Sequence, residues 1–520
     1  MTKPPEPKPA ENHAENHAEN HAGDHAGDHA RGGRRAVNGD HDVVVIGGGI
    51  TGLTTAHQIV ARAPGRSVVV LEASERVGGI VGSHHRQGFT VDTGPHGFVV
   101  YGPGGVGDLA RELGLGDELM LATDEAQDLL LLRDDQELIP MPTTPREFLR
   151  SPLLSARGKL RIALEPFVAR DLTEESVFEF TARRFGWELA RTLAVPAVLG
   201  VTGGDSRRLS IDAKFPYVRY LEARHRSVLL GALRAQLRGT QTGRFYIPRL
   251  PKFREFGMRL HTFRGHGMQR LVDALEKSLA DRVRLGRRAV RIERTPDAKR
   301  RWTVVQQDGA TLTADHVVVA LPAYRAAELI APHLPDAAEA LAAIPHPDVR
   351  VVALAYRRAD VRREPSGIGF LTIPTERTRI LASIHTSTIF PEQAPEDMVL
   401  IRTLAGGMQD PAFSSLPSED AVREVHHDLV HIFGIRGEPV FSFDHLWRRA
   451  IPEYPVGHRA RMDAVLAQAA ASGGLHLAGN TYHGVGINDC VRDARRVAGD
   501  IASVLVPAGD AAPRPVPAGG

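Results

Sequence analysis

Apolar runs that stop at glycines give the first structural predictions. DVVVIGGG, from Asp42, has four consecutive apolar residues before three glycines, which predicts a buried parallel strand. Residues 50–63 follow with helical spacing of apolar positions, and SVVVLEA, residues 67–73, predicts a second strand. The chain therefore begins with a strand–helix–strand unit.

The rest of the chain alternates between helical and strand-like patterns. Residues 104–235 have apolar residues three and four positions apart, so we predict mainly helical structure there. VRIERT, RWTVVQQDG and TLTADHVVVAL predict a β-meander, and residues 350–445 predict mixed strands and helices. The chain closes with a strand, a Gly-rich turn and a helix, in LHLAG, NTYHGVG and INDCVRDARRVAGDIASVL.

These patterns predict an α/β protein whose Rossmann-like nucleotide-binding domain is built from discontinuous segments. We assign residues 41–100, 255–335 and 445–507 to that domain, 101–213 to a helical subdomain, and 214–254 with 336–444 to a mixed α+β substrate-binding domain. Residues 1–40 and 508–520 are predicted to be disordered tails. The first has no large apolar residue between Met1 and Val37, and the second is rich in Pro and Gly.

The N-terminal tail carries a four-residue repeat. It places His13, His17, His21, His25 and His29 in register. A helical form of this repeat would put the histidines on one face, where they could bind Ni or Zn; a solvated tail is the alternative that we favour. Elsewhere we identify no metal-ligand cluster, no Ser–His–Asp set and no paired carboxylates.

Composition restricts the environment and the partners. The formal net charge of the 520 residues is +2, which gives no electrostatic reason to expect nucleic acid as a partner. The single cysteine, Cys490, excludes an intramolecular disulfide and fits a reducing compartment. No apolar run approaches the roughly 20 residues of a membrane span. We therefore expect a cytoplasmic protein, with peripheral contact at the inner face of the cell membrane left open.

The first Gly-rich turn has the GxGxxG pattern of dinucleotide-binding proteins, at Gly47, Gly49 and Gly52. The first glycine permits a tight turn, the second lets the backbone approach a pyrophosphate, and the third lets the helix pack on the strand. Glu72 ends the second strand, where a carboxylate can accept hydrogen bonds from the adenosine ribose and repel a 2′-phosphate. Strand, helix, second strand and acid together predict a dinucleotide site.

The segment after Glu72 distinguishes among dinucleotides. EASERVGGIVGS places Arg76, Gly78 and Gly79 directly beyond the ribose acid, and FTVDTGPHGF follows. This stretch resembles the flavin amine oxidase and porphyrinogen oxidase superfamily, where E-x-x-x-R-x-G-G continues the FAD site. The resemblance implies FAD as cofactor, with Arg76 near the pyrophosphate and the glycine pair beside the flavin.

The closing segment, LAGNTYHGVGINDCVRDARRV, resembles the C-terminal flavin motif of the same superfamily. The resemblance puts Gly479 near the pyrophosphate or ribityl chain, and Gly486 and Ile487 at the start of a helix against the isoalloxazine. It also puts the backbone of Val290 near the adenine. Cys490 follows the closing motif instead of preceding it, so we predict FAD bound non-covalently and a buried helical cysteine.

Central motifs resemble the porphyrinogen oxidases in particular. They include PMPTTPREFLRSPLLSARGKLRIALEPF, EESVFEFTARRFGWEL, VPAVLGVTGGDSRRLSIDAKFP and FREFGMRLHTFRGHGMQRLVDAL, and the resemblance spans about residues 42–505. It implies six-electron oxidation of protoporphyrinogen IX to protoporphyrin IX in tetrapyrrole biosynthesis, with hydride transfer to the flavin and O2 as acceptor. Coproporphyrinogen III remains an alternative substrate. An amine oxidase, a carotenoid desaturase and a non-catalytic FAD protein are weaker alternatives, and the oligomeric state stays open.

Substrate contacts are less well specified. Gly200 matches the family glycine whose backbone lies near the reacting methylene carbon, and Phe98 could line the pocket after the GPHG turn. Some relatives carry a propionate-binding arginine near this turn, but GPHGFVVYGPGG contains none, and His96 is the nearest basic residue. We consider both a structural role and a substrate role for His96, and the propionate anchor stays open.

One stretch of the helical region has the composition of an interfacial segment. Its apolar residues are Leu153, Leu154, Leu160, Ile162, Leu164, Phe167 and Val168, and its basic residues are Arg150, Arg157, Lys159 and Arg161. The family's helical domain often touches membranes here, so the resemblance implies peripheral membrane contact. Helices that face the protein core are the alternative interpretation.

Overall fold

The computed structural model describes residues 39–506, apart from 127, 134–135, 239–240, 243–244, 247–258, 296–300 and 376. The predicted tails lie outside these residues, except that the first strand already begins at Gly39, two residues before the predicted start. The earlier start has a physical reason, since residues 39–41 extend the parallel pairing with residues 312–314 of another strand.

A seven-stranded sheet forms the nucleotide-binding half of the protein. From one edge its strands are Val283–Arg284, Val68–Leu71, Gly39–Ile46, Thr311–Val319, Trp302–Gln306 and Ala289–Arg294. The strand Leu475–Leu477 pairs in parallel with residues 317–319, beyond the end of the antiparallel pairing made by residues 302–305. The central strand Thr311–Val319 therefore pairs with a strand from the beginning, one from the middle and one from the end of the described chain.

Both faces of this sheet are covered by helices, as the continuous apolar strands require. Ile50–Arg62, Gln269–Leu279, Val106–Glu112 and Ile487–Leu505 enclose one hydrophobic core. Ala323–Ile330, Pro335–Ala342 and His458–Ala471 enclose the core on the other face. We call Ile50–Arg62 the first helix and Ile487–Leu505 the closing helix. The arrangement confirms the predicted α/β class and its assembly from discontinuous segments.

A second sheet forms the other half. Its order is Phe441–Trp447, Val349–Arg357, Met398–Gly406, Ile380–Ile384, Gly369–Thr372, Leu129–Leu132 and Leu138–Pro140, and helix Ser418–Phe433 covers one face. The last two strands lie within the stretch predicted to be mainly helical, and that prediction was wrong there. Leucine favours helices in isolation, but pairing of residues 129–132 with 369–372 overrides this propensity.

The remaining part of residues 104–235 is mainly helical, apart from the strand Leu119–Leu121. Its helices are Pro145–Arg150, Ala156–Ala163, Val177–Phe185, Trp187–Leu189, a π-helical turn Ala190–Ala194, Val195–Thr202, Ile211–Lys214, Pro216–His225 and Val228–Arg238. Gly186 separates helix Val177–Phe185 from Trp187–Leu189, because its φ of 101° is incompatible with α-helix. None of the described helices is long and apolar enough to cross a membrane.

Shorter elements complete the fold. The strands are Ser83–Arg86, Phe89–Asp92, Phe98–Val99, Leu119–Leu121, Gln241–Thr242, Phe245–Tyr246 and Leu260–Phe263; the short helices are Gly116–Glu118, Glu165–Phe167, Ala280–Arg282, Arg358–Asp360, Thr386–Ile389, Pro391–Gln393 and Pro411–Ser414. Residues 98–99 pair with 260–261, which fixes the end of the GPHG turn beside the nucleotide-binding half.

Candidate active site

The three glycines of the first turn have different surroundings. Gly47 has a φ of 108°, and a Cβ there would lie 2.5 Å from the Ala320 carbonyl oxygen. A Cβ on Gly52 would lie 1.9 Å from the carbonyl oxygen of Gly47, whereas a Cβ on Gly49 would meet no atom within 4 Å. Gly47 and Gly52 therefore permit close packing of strand and helix, and Gly49 faces open space that a phosphate group could approach.

Glu72 lies at the end of the second strand and its carboxylate turns toward the first turn. Its Oε2 accepts a hydrogen bond from the Gly48 amide at 2.7 Å, and its Oε1 accepts one from the Ser74 amide at 2.8 Å. The Arg287 amide donates to the Glu72 carbonyl at 2.7 Å. Val290, three residues further on, is 46% exposed in the strand Ala289–Arg294.

The second Gly-rich turn packs directly on the first. The Gly78 amide donates to the Gly48 carbonyl at 2.8 Å, and a Cβ on Gly79 would lie 3.4 Å from the Gly49 Cα. Arg76 donates to the carbonyls of Val77, at 3.1 Å, and Gly79, at 2.7 Å. Arg76 thus stabilises the turn that the glycine pair forms. The first and second Gly-rich turns lie in contact and form a continuous surface.

The closing turn is organised by a buried carboxylate. Asp493, on the closing helix, is 3% exposed; its Oδ2 accepts from the Gly479 amide at 2.9 Å, and its Oδ1 lies 2.9 Å from His483 Nδ1. Burial disfavours the charged form, but the His483 hydrogen bond and the charges of His483 and Arg496 hold the pKa of Asp493 below its ordinary value. Gly479 has a φ of 132°, and a Cβ on it, like one on Gly49, would meet no atom within 4 Å.

Asp493 was not among the residues predicted from sequence. It is one of several acidic residues in the closing helix, and its sequence context does not distinguish it from an exposed charge such as Asp500. Its distance of 14 residues from Gly479 also hides the contact. Only the return of the closing helix alongside its own turn brings the two together.

The closing helix begins at Ile487, as predicted, with Gly486 as its N-terminal cap. Ile487 is 9% exposed and belongs to the same core as Leu53 of the first helix. Cys490 is 6% exposed, in agreement with the predicted buried cysteine, and burial raises the pKa of its thiol to about 12 although a hydrogen bond with Thr51 opposes this. The closing helix therefore packs on the first helix, beside the first Gly-rich turn.

Side chains from the second sheet donate hydrogen bonds to the GPHG turn and to the residues just before it. Arg402, in strand Met398–Gly406, is 3% exposed and donates to the carbonyls of Asp92 and Gly94, both at 2.8 Å. Trp447 Nε1 donates to the Thr93 carbonyl at 2.7 Å. Burial lowers the pKa of Arg402 to about 10, while the Asp92 charge opposes the shift. No local pattern signals these contacts, since Arg402 lies 310 residues along the chain from Asp92.

His96 and Phe98 are both buried. His96 is 5% exposed, its Nδ1 lies 3.2 Å from Asp92 Oδ2, and its ring lies 5.4 Å from that of Phe390. Phe98 is 2% exposed and packs on Phe263 in the core beneath the first helix. In this arrangement His96 lies beside the Asp92 carboxylate inside the turn, and Phe98 is a core residue.

Gly200 lies in helix Val195–Thr202, where that helix crosses the second sheet. A Cβ there would lie 2.4 Å from Leu371 Cδ2 and 3.1 Å from the Cβ of Ala382. The glycine therefore allows the helix to sit directly on the strands.

The converging turns fit a dinucleotide. The first, second and closing turns lie at the carboxyl ends of neighbouring parallel strands, where dinucleotides bind in such sheets. The open positions at Gly49 and Gly479 leave room for a pyrophosphate, and the first helix directs its N-terminus at that space. No group of three or more His, Cys, Asp or Glu residues in the described part of the chain is placed to hold a metal ion.

Fold and site thus define a dinucleotide-binding protein. Residues 50–502 match the model of the flavin containing amine oxidoreductase family, and the chain belongs to that family. It is 31% identical to the coproporphyrinogen III oxidase of Propionibacterium freudenreichii subsp. freudenreichii, covering 91% of this chain and 92% of the relative. It is 30% identical to the chloroplastic protoporphyrinogen oxidase of Oryza sativa subsp. japonica, covering 89% and 88%.

Solved structures share the fold. The crystal structure of a protein from Exiguobacterium sp. 255-15 matches with a TM-score of 0.74 and 24% identity, over 89% of this chain and 98% of that protein. Cyclohexylamine oxidase from Brevibacterium oxydans IH-35A matches with a TM-score of 0.63 and 20% identity, over 90% and 99%. At these identities the likeness concerns the fold.

Proposed function

We propose that this flavoenzyme oxidises a porphyrinogen to the porphyrin with O2 as electron acceptor. The observation that carries the proposal is the full-length similarity, at 31% and 30% identity, to relatives named as coproporphyrinogen III and protoporphyrinogen oxidases. FAD, when bound, supplies the acceptor for hydride equivalents and the route to O2.

The chain's own residues bind and orient the cofactor. Gly49, Gly79 and Gly479 would let backbone approach its pyrophosphate and ribityl chain, and Glu72 would accept hydrogen bonds from the adenosine ribose. The N-terminus of the closing helix, at Gly486, would favour negative charge on the isoalloxazine. We further propose that FAD is held non-covalently, because the single cysteine is buried in the closing helix and its thiol is protonated.

The protein's part in the chemistry is to hold the substrate and exclude water. Aromatisation of the macrocycle drives the reaction, so no strong acid or base is needed. For Gly200 we retain the substrate contact that the family resemblance implies, and the close approach of Leu371 and Ala382 gives this glycine a packing role as well. Arg402 and Trp447 keep the GPHG turn in place from the same sheet.

Protoporphyrinogen IX is the substrate expected from the sequence, and coproporphyrinogen III is the second candidate. The second is favoured by the Propionibacterium relative, which aligns over 92% of its length. The relatives of the two kinds have nearly equal identities, so identity alone does not separate the substrates. His96 does not resolve the choice either, because its ring is turned toward Asp92.

Porphyrin fluorescence tests both candidates. Purified protein receives protoporphyrinogen IX and coproporphyrinogen III in parallel in air, with a no-enzyme control for autoxidation and Gly52→Ala as a cofactor-deficient control. We expect rapid porphyrin formation with at least one substrate, and the faster one identifies the physiological substrate. Autoxidation rates with both substrates, from protein that carries flavin, would overturn the proposal.

We also propose peripheral membrane contact through the helical part. Of the apolar residues noted in the sequence, Leu160, Leu164 and Phe167 are 61%, 46% and 84% exposed, while Leu154 and Ile162 are buried. The exposed residues lie among arginines, which suits an anionic surface. In sedimentation with anionic liposomes at low salt, we expect wild type in the pellet with the liposomes and Phe167→Ser in the supernatant. Wild type that stays wholly unbound would exclude this contact.

A further inference from the structure

A cavity of about 230 Å³ lies within the helical part of the chain. It is enclosed by helices Pro145–Arg150 and Ala156–Ala163, by the π-helical turn Ala190–Ala194, and by the edge of the second sheet. Leu131, Leu154, Ile162, Leu189 and Leu193 form much of its wall. It shares no lining residue with the three Gly-rich turns, so it is separate from the proposed flavin site.

The interior of this cavity suits an aliphatic chain. Its other walls include Phe148 and Phe185, and among the described residues that line it the polar side chains are Ser151, Thr192 and Lys159. Apolar cavities of this kind are poor sites for water, which needs two to four polar partners, and they take up apolar ligands. A π-helical turn in the wall is also typical of functional sites.

Basic side chains lie at one end of the cavity. An adjoining cleft shares Met141, Pro142 and Ser151 with the cavity and adds Arg146 and Arg150. The cleft also contains the carboxylates of Asp128 and Glu147, and Glu147 accepts hydrogen bonds from the Thr143 and Thr144 amides. Lys159 of the cavity wall adds a third basic group at this end. Cations at the mouth of an apolar space favour a ligand whose chain ends in an anion.

Lys159 connects the two compartments. Its stem lines the cavity, and its Nζ donates to the carbonyls of Leu149 and Ser151, both at 2.8 Å. An ammonium group has three N–H donors, so one remains for a ligand. The two carbonyls also fix the position of the charge at the entrance. Leu149 and Leu160, 68% and 61% exposed, surround it with apolar surface.

We propose that this cavity binds the alkyl chain of a free fatty acid, with its carboxylate among Lys159, Arg146 and Arg150. The alkyl chain would lie against walls that are mainly aliphatic and aromatic. The carboxylate would stay at the solvent edge, where its desolvation is incomplete and its charge is compensated. This site is distinct from surface contact with a bilayer, which needs the exposed side chains and not the interior.

Calorimetric titration of the purified full chain with dodecanoate tests the site, with dodecanol as the uncharged probe. Leu172→Ser is the control, because Leu172 is 52% exposed and lines neither the cavity nor the adjoining cleft. We expect saturable one-to-one binding of dodecanoate by wild type and by Leu172→Ser. Leu193→Trp, which fills the cavity, should weaken binding at least about tenfold. Arg146→Gln combined with Arg150→Gln should weaken dodecanoate binding while leaving dodecanol binding unchanged.

Ile162→Phe provides a second cavity-filling variant if Leu193→Trp does not fold, as judged by thermal unfolding. Equal dodecanoate binding by wild type and a folded cavity-filled variant would overturn the proposal. Absence of saturable binding, or uptake of many molecules per chain, would do the same. Anionic phospholipid vesicles are then added as a competitor. An unchanged affinity for dodecanoate in their presence supports a free fatty acid over a membrane lipid. Competition by the vesicles that matches the dodecanoate affinity overturns that choice.

Discussion

At the scale of single residues, Gly49 and Gly52 illustrate two different reasons for a glycine. A Cβ at Gly52 would overlap the Gly47 carbonyl oxygen at 1.9 Å, while one at Gly49 would meet nothing within 4 Å. Gly52 is required by the protein's own packing. Gly49 is required only when a ligand occupies the space in front of it.

The two alanine variants should therefore behave differently. Gly52→Ala forces the first helix away from its strand, so we expect a lower melting temperature and loss of bound flavin. Gly49→Ala should leave the melting temperature of flavin-free protein unchanged but weaken flavin binding about tenfold or more. Thermal unfolding and flavin fluorescence titration measure both effects. Full flavin affinity in Gly49→Ala would contradict a phosphate position at this turn.

At the scale of elements, the contact between helix Val195–Thr202 and the second sheet depends on Gly200. We predict that Gly200→Ala lowers the stability of the protein. Adding Leu371→Ala to this variant should restore most of the lost stability, since the shorter side chain removes the contact at 2.4 Å. Porphyrinogen turnover discriminates the two roles of the glycine. If the backbone of Gly200 contacts substrate, the double variant regains stability but not turnover; recovery of both would indicate packing alone.

Buried charged side chains also connect the helices of the helical part. Glu222 has no exposed side-chain surface and accepts hydrogen bonds from Arg183 and Arg219, both at 2.9 Å. Burial raises the pKa of Glu222, but the Arg183 hydrogen bond and its charge outweigh burial and hold the pKa below its ordinary value of 4.5. A carboxylate with a lowered pKa stabilises the fold at higher pH and loses that contribution as it is protonated.

Glu222 therefore makes the free energy of unfolding depend on pH in the acidic range. Its contribution should be complete above pH 4.5, its unfolded value, and decline as the pH falls below it through the folded pKa. Urea unfolding at a series of pH values should show a shallower loss for Glu222→Gln than for wild type over this range. Glu419→Gln, in the exposed first turn of another helix, is the matched control and should follow wild type. Parallel curves for all three would exclude this role.

At the scale of the whole molecule, the single cysteine reports on global unfolding. Cys490 lies in the core between the first and closing helices, and burial raises its pKa to about 12. Thiol reagents attack the thiolate, so we expect negligible alkylation of native protein at about pH 8 and complete alkylation in urea. Val504→Cys in a Cys490→Ala background places a thiol at a position 65% exposed, and should react rapidly in the native state. Fast native labelling of Cys490 would show that the two helices separate.

Local patterns were sufficient where neighbouring residues determine the structure. The strand before Gly47, the first helix and the closing helix follow from apolar periodicity and from glycines at their boundaries, and the structure places them close to the predicted bounds. They were insufficient for the leucine-rich strands of residues 129–140. A run of leucines satisfies a helix or a strand equally, and only the distant partner strand, residues 369–372, decides between them.

The nucleotide-binding unit could be predicted from the sequence because its glycines and Glu72 lie within a short span, and the family could be predicted from motifs that recur along residues 42–505. Packing in three dimensions selects the distant groups that complete the site: Asp493 holding Gly479, and Arg402 with Trp447 holding the GPHG turn. The same holds for the apolar cavity, whose walls come from segments as far apart in the chain as Leu131 and Leu229. Such contacts arise when elements pack, and packing is a property of the assembled core that no local pattern encodes.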